Sequence, residues 1–454
     1  MVGLKQTMLI DLYQLREGII VRLEYFGGMI IDIVNNAYYQ IPKYDALVLF
    51  CLKYENNINV IINEILTKLD IKKETFDCNL YEKENFIVKI SQKNNIHRDN
   101  LNLYLYIKDI LNNIENINHL SAPLNISIYP SFSCQANCNF CYVKNYCKDD
   151  HRIMQFHVLK KLIDDIERLQ IPYVSILGGE PLLLPYIEEL LDYMSKKRII
   201  FNITTNGWLL NEKVMYYIKK IKNINLSISL QSIDNYHTLA TKLNYKEIIN
   251  NIKNTRGNCR INTVYINQTF EQLEKLVDFV YNEGIKTFTL ALYNNVKLNP
   301  KEQNNNHIKF LNAKQHLNKY IKSKHYDIDF RAEGCLQYLF EQKVKIIPKT
   351  DIEKIFTKCE AGNLKLEIMP NGDTIGCMAL DNNFFKSGNI FDNKLEDIWN
   401  HDEKLNLLRN SLCKVSECEN CKYYSFCNGG CTAQRFLTNK NFEKVKDGRC
   451  LKKA

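Results

Sequence analysis

"NISIYPSFSCQANCNFCYV", residues 125–143, sets an alternating β-branched run directly ahead of Cys134, Cys138 and Cys141. The run reads as a strand and the cysteines as the loop leaving its carboxyl end. The same texture recurs downstream. "YVSILGG", "IIFNITTNG", "NLSISL", "CRINTVYI" and "TFTLALY" alternate with amphipathic stretches, the first of which carries Leu159, Leu162, Ile163, Ile166 and Leu169 on one face. Regular βα alternation builds a parallel sheet with helices outside. The six repeats predict an α/β fold, a partial (β/α)6 TIM-like barrel over residues 121–325. Barrels of this kind do their chemistry on the loops that follow the strands.

Thiolates select zinc or iron–sulfur. A structural zinc site closes with four protein ligands, and Cys147 or His151 can supply the fourth here. A 4Fe-4S cluster held by three cysteines instead leaves one iron open. Other strand ends carry polar groups too. "GGEP" provides Gly178, Gly179, Glu180 and Pro181 after the second strand; paired glycines permit close backbone approach, and a carboxylate accepts charge-assisted hydrogen bonds from an ammonium group. "TTNG" and "SISLQS" bring Thr205, Asn206, Ser229 and Gln231 to the same mouth. Taken singly, each reads as a turn or a satisfied strand residue.

The chain has 454 residues, more than one core usually organises, and predicts two or three domains. It is 45% apolar and 24% charged with no run of eighteen apolar residues, so no membrane span is expected. The start, "MVGLKQTMLIDLYQLREG", lacks the order of a secretion signal, and a cytoplasmic location is expected. A net charge of +9 without a dense basic block does not point to nucleic acid and suits an acidic peptide equally well. Residues 1–75 read as a β-meander followed by two helices, "KYDALVLFCLKY" and "NINVIINEILTKL", a winged-helix-like α+β domain. Residues 76–120 read as a polar linker ending in a helix, and residues 326–454 as a third, cysteine-rich domain.

Of sixteen cysteines, nine lie between Cys335 and Cys450, and in a reducing compartment such clustering favours metal over disulfides. Cys359, Cys377, Cys418, Cys421, Cys427, Cys431 and Cys450 can serve two metal centres, the plain reading being two zinc sites that staple a loop-rich domain. Cys51, Cys78 and Cys259 read as small buried hydrophobes.

The Cx3CxφC loop with Phe140, "GGEP", "TTNG" and "ISL" on successive strands together resemble the radical S-adenosylmethionine (SAM) enzymes over residues 121–325. The resemblance implies that Cys134, Cys138 and Cys141 hold a 4Fe-4S cluster whose open iron takes the methionyl amine and carboxylate of SAM. Glu180 would hold the amino group, while Thr205, Asn206 and Ser229 line the ribose and carboxylate side. Gln231 is expected beside them, as are the backbones of Gly178, Gly179 and Pro181. The activity implied is cleavage of SAM to a 5′-deoxyadenosyl radical that abstracts hydrogen from an unactivated carbon. Two departures stand out: "SLQS" replaces the "SLDG" of many relatives, and "YHTLATKLNYKE" lacks an arginine often found there.

The order C-x(9–15)-G-x4-C, C-x2-C-x5-C-x3-C, then C resembles the SPASM extension of these enzymes. That likeness implies two auxiliary 4Fe-4S clusters, one on Cys359, Cys377 and Cys431 and the other on Cys418, Cys421, Cys427 and Cys450. Cys335 is the candidate for the fourth ligand of the first, with Cys413 as its rival. Residues 1–75 resemble the peptide-recognition domain of enzymes acting on ribosomally made, post-translationally modified peptides. Such a domain captures a leader by adding it as a strand to a sheet edge. The implied function is a peptide maturase that installs a thioether or C–C cross-link, served by an electron donor such as flavodoxin or ferredoxin. Two alternatives stand beside it. One is a formylglycine-generating maturase of the sulfatase type, whose relatives carry aspartate where this chain has Met378. The other is a zinc-stabilised DNA-binding regulator, its helices lacking a clear recognition face.

Overall fold

The computed structural model describes residues 13–450 apart from 53–57, 70, 90–99, 115–116, 145–151, 221, 294–299, 335–344, 348–358, 381, 412–414, 422 and 440–445. Cys147, His151, Cys335 and Cys413 therefore lie outside the described residues. The chain divides into two units, one of residues 1–122 with 343–356 and one of residues 123–342 with 357–454.

In the first unit, β1 (Tyr13–Leu15) precedes the meander β2 (Ile19–Glu24), β3 (Gly27–Asp32) and β4 (Ala37–Ile41), all antiparallel. The β2–β3 turn works because Gly27 adopts φ 119°, where an added Cβ would lie 2.7 Å from the Ile41 carbonyl oxygen. Helices α1 (Lys43–Cys51) and α2 (Ile58–Lys68) pack Leu47, Phe50, Ile62 and Ile65 against Val21, Leu23 and Ile30. The expected linker is folded instead. It forms α3 (Cys78–Lys83), capped by the Asp77 carboxylate, β5 (Ile87–Lys89) paired antiparallel with β1, and α4 (Asn100–Ile114). Ile107, Leu111 and Ile114 of α4 are buried in the same core. Their helical spacing in an Asn-rich stretch supplies the one apolar stripe needed to dock the segment. Arg22 Nε donates to Glu24 Oε1 at 2.8 Å, and Glu24 Oε2 accepts from Ser121 N at 2.7 Å, a buried pair satisfied by backbone on both sides.

The second unit follows the expected alternation. Strands β6 (Asn125–Ile128), β7 (Tyr173–Ile176), β8 (Ile200–Thr205), β9 (Ile224–Ser229), β10 (Arg260–Tyr265) and β11 (Thr287–Leu292) are parallel neighbours in chain order. Between them run α5 (Phe156–Arg168), α6 (Ile187–Ser195), α7 (Glu212–Lys220), α8 (Asn235–Thr241), α9 (Tyr245–Thr255) and α10 (Phe270–Asn282). The longer ones bury an apolar stripe, as Leu159, Leu162, Ile163 and Ile166 do in α5. After α11 (Pro300–Ser323) the sheet gains a further parallel strand, β12 (Asp329–Glu333). Its sequence "DFRAE" alternates polar and apolar residues, but over only five positions and with none fully buried.

The chain then returns to the first unit as β13 (Lys345–Ile347), parallel to β4. The cysteine-rich segment begins by extending the barrel's sheet. β14 (Lys365–Ile368) pairs parallel with β6, and β15 (Asp373–Ile375) and β16 (Lys386–Asn389) continue the same ten-stranded sheet antiparallel. Adding β14 removes the open edge that β6 would otherwise present. Among the described residues no helix is long and apolar enough to cross a membrane.

Candidate active site at the barrel mouth

The loop after β6 carries the three cysteines and is pinned from two directions by backbone. Asn137 N and Asn139 N donate to the Thr241 and Ala240 carbonyls at the end of α8, at 2.9 and 3.0 Å. On the other side, Gly179 N and Glu180 N donate to the Ser131 and Ser133 carbonyls at 3.0 and 2.9 Å. The glycines are required for that seam: an added Cβ at Gly178 would lie 2.2 Å from the Ser131 oxygen, and one at Gly179 2.1 Å from the Ser133 oxygen. The close approach expected of these glycines is thus made first to the cysteine loop itself. Pro181 opens a single 3-10 turn, Pro181–Leu183, that carries the chain away toward α6.

Glu180 is the electrostatic centre of the mouth. Its carboxylate is buried and takes three donors: Thr205 Oγ1 at 2.7 Å, Asn206 N at 2.7 Å and Leu182 N at 3.0 Å. Burial pushes its pKa up, and these three donors oppose the shift. A carboxylate has roughly four acceptor positions, so one on Oε2 is left for a cationic donor. Asn206 bridges the loops: its Nδ2 lies 3.9 Å from Cys134 Sγ, and its Oδ1 accepts from Gln135 Nε2 and Trp208 N. Ser229 ends β9 opposite Asn262. Gln231 is fully buried; its Oε1 accepts from Val264 N at 2.9 Å and its carbonyl from Gln268 Nε2 at 3.2 Å, which leaves Nε2 as its remaining polar group.

The three thiols feel one another. Burial pushes Cys138 up to about 12, and the neighbouring Cys141 and Cys134 add to that; Cys134 is raised by burial too. Three crowded, partly buried thiols ionise together more readily when a cation compensates them, and a metal cluster fits that requirement. Among the described residues no three His, Cys, Asp or Glu side chains form a group that could hold a single metal ion. A cubane binds each thiolate through a different iron and needs no common focus.

The other cysteines lie in two neighbourhoods. Cys359 and Cys377 are each raised first by burial, and each feels Cys431. Cys418 and Cys427 instead feel Cys450, and Cys418 feels Cys421 as well. Those last four thiols line one pocket with Tyr423, Tyr424 and Asp447. Gly430, at φ 94°, lets the chain pass Asp447, whose carboxylate accepts from Cys431 N at 2.9 Å and so ties one set to the other. Cys51 is buried, whereas Cys78 and Cys259 are only partly so.

A second cavity of about 610 Å³ opens beside Phe140, lined by Asn139, Tyr265, Ile266, Asn267, Tyr293 and Asn306. The sequence reading missed these residues. Their signal was position: Tyr265 ends β10 and Tyr293 follows β11, where a barrel presents its ligand contacts.

Known proteins agree with this geometry. The family described as Radical SAM superfamily matches residues 128–280, and the iron-sulfur cluster-binding SPASM domain matches residues 359–422. The chain carries a radical SAM domain and a SPASM domain. Mycofactocin maturase MftC of Mycolicibacterium smegmatis is 24% identical over 70% of this chain and 80% of its own length. The radical SAM cyclopropyl synthase TigE of Paramaledivibacter caminithermalis is 24% identical over 75% and 74%. The crystal structure of Streptococcus suis SuiB bound to its precursor peptide SuiA superposes with a TM-score of 0.80 at 25% identity, covering 97% of this chain and all of that one. The protein is accordingly an enzyme that uses SAM and 4Fe-4S clusters, as the motifs implied, and not a zinc-stabilised regulator.

Proposed function

We propose that this radical SAM enzyme matures a ribosomally made precursor peptide, installing a thioether or C–C cross-link. The observation that carries the reading is the extent of the likeness to peptide-bound SuiB. At 97% coverage it takes in the first unit together with the barrel and the SPASM segment. That unit contributes an antiparallel meander whose sheet ends in β2 on one side and β13 on the other. Edge strands are where main-chain hydrogen bonds can add a leader peptide.

Cys134, Cys138 and Cys141 hold the SAM-binding cluster in this proposal. Cys359, Cys377 and Cys431 hold one auxiliary cluster, completed by Cys335 or Cys413, and Cys418, Cys421, Cys427 and Cys450 hold the other. When bound, the cluster and SAM supply a 5′-deoxyadenosyl radical that removes hydrogen from an unactivated carbon. Glu180 Oε2 accepts from the methionyl ammonium, its carboxylate held still by Thr205, Asn206 and Leu182. Asn206 couples that carboxylate to the Cys134 loop, and Ser229 and Gln231 lie at the adjacent strand end. The cavity beside Phe140 gives the reacting groups a walled site between β10 and β11. A cross-link costs the peptide two hydrogens. One leaves as an atom; the other leaves as a proton and an electron, for which the SPASM cysteines would house an acceptor. A flavodoxin- or ferredoxin-type protein would supply the reducing electron.

Anaerobic reconstitution tests the reading at two levels. About twelve irons per chain are expected, four for each of three cubanes, with deoxyadenosine formed on reduction. Co-expression with the precursor encoded nearby should return a peptide lighter by a pair of hydrogens. A peptide left at its original mass by a fully loaded, SAM-cleaving enzyme would overturn the cross-linking assignment.

A further inference from the structure

Each of the six barrel strands turns a polar side chain to the inner face of the sheet, away from the helices. Ser127, Ser175, Asn202, Ser227, Asn262 and Thr289 alternate with residues such as Val174, Phe201 and Ile261, which are fully buried. Parallel register places Ser127 beside Ser175, Ser175 beside Asn202, and Asn262 beside Thr289. A closed barrel fills its interior with branched apolar residues. A polar lining suits a polar occupant instead, because enclosed polar groups need partners. Asn262 shows the need: its side-chain oxygen is buried and has no donor among the described residues. Arg260 enters the same face at the start of β10, level with Ser227. It is half-buried, and its fork of N–H donors has one partner among the described residues, Asn202 Oδ1 at 3.3 Å from Nη2. Other enclosed arginines of this unit are satisfied. Arg409 donates to the Gly362 and Trp399 carbonyls and to Asn406 Oδ1 at 2.7–2.9 Å, and Arg449 pairs with Asp447 at 2.7 Å. Arg331 of β12 is paired with Asp329. Burial works against the charge of Arg260, Glu333 at the end of β12 favours it from beyond ion-pair distance, and Arg331 opposes it.

We propose that Arg260 binds a carboxylate side chain, aspartate or glutamate, in the stretch of precursor that lies along this polar face, and so selects a peptide that is acidic near its modified residues. The inference rests on the peptide-maturase reading above. A planar guanidinium grips a carboxylate through two parallel hydrogen bonds, and in a half-buried site such a pair is stronger than in open water. Asn202 steadies Nη2 and leaves the rest of the fork to the incoming carboxylate. The neighbouring hydroxyls and amides suit the peptide main chain, with Asn262 Oδ1 placed to accept an N–H. Arg260 takes no part in the radical step; its role is to choose the substrate.

The test uses the reconstituted full-length enzyme under anaerobic conditions and the chemically synthesised, fluorescently labelled precursor encoded beside this gene. Binding is read by anisotropy and turnover by peptide mass. Arg260→Gln should weaken binding about ten- to a hundredfold and raise KM by a similar factor, with kcat changed far less; Arg260→Lys should recover part of the loss. Each Asp and Glu of the precursor is also replaced in turn by its amide. One replacement should cost the parent enzyme about as much as Arg260→Gln does and cost the Arg260→Gln enzyme almost nothing, the coupling that marks a direct pair. The peptide-side change leaves the enzyme intact, so a folding defect in the variant cannot mimic it. Losses that simply add at every acidic position, or an Arg260→Gln enzyme that binds as the parent does, would overturn the proposal. Binding is scored apart from chemistry. A peptide that binds through Arg260 yet keeps its mass sinks the cross-linking assignment and leaves this inference standing, whereas a precursor that does not bind the parent enzyme removes both.

Discussion

Thr205→Val isolates one hydroxyl at the centre of the mouth. Thr205 is 1% exposed; its Oγ1 donates to Glu180 Oε1 at 2.7 Å and accepts from Gly207 N at 3.1 Å. Valine fills nearly the same volume, so packing is preserved and the hydrogen bonds are what change. A hydrogen bond to a charged group contributes about 1.5–3 kcal/mol, and a buried N–H left unpaired costs about 1–3 kcal/mol. With both groups buried, the variant should lose about 2.5–6 kcal/mol. Thr205→Ser keeps both bonds and should lose only about 1 kcal/mol for its missing methyl. Urea unfolding of the apoprotein, read as the midpoint of the barrel transition, measures the difference. A pH series adds a signature. Glu180 has a raised pKa, so the folded chain holds its proton where the unfolded chain has released it, and stability falls as pH rises above the ordinary carboxylate value. Removing the Thr205 donor raises that pKa further and should steepen the fall. Should the valine variant unfold within about 0.5 kcal/mol of the parent with an unchanged pH profile, the hydroxyl does not hold Glu180 as argued.

Replacing Cys134, Cys138 or Cys141 with alanine should remove about four of the irons and all deoxyadenosine formation, leaving the auxiliary signals visible by paramagnetic resonance. Gly179→Ala should part the two loops at the Gly179–Ser131 and Glu180–Ser133 bonds, costing about 2–3 kcal/mol at about 1–1.5 kcal/mol per bond and lowering SAM affinity in equilibrium dialysis. His237 is pushed down to about 4 by burial, with Nδ1 accepting from Gln231 N. Its neutral form is favoured by folding, so stability should drop by up to about 3 kcal/mol as pH falls from about 6.5 to about 4, a drop that His237→Gln should flatten. Leu111→Ala should cost about 2–4 kcal/mol in chemical unfolding of the first unit, whereas a linker residue would change little.

The barrel was legible because its strands and helices bury their apolar residues at periods that sequence displays. "YVSI" and "IFNITT" put alternate residues on the helix-facing side, and the stripe of α5 is buried as its spacing predicts. The cysteine loops were legible because thiol spacing within a loop is set by covalent geometry. β12 escaped because it offers only five residues with none fully buried, and the docking of α4, expected only as the helix that ends a linker, escaped because a short apolar stripe within an Asn-rich stretch does not name its partner surface.

Sequence by itself therefore determined the local elements, the cysteine triad and the glycines that let backbones touch. Only the folded chain decided that those glycines bind the cysteine loop and that Thr205, Asn206 and Leu182 converge on one carboxylate. These are contacts between residues far apart in the chain, fixed by strand register and core packing, and local periodicity carries no information about which distant partner a strand will meet.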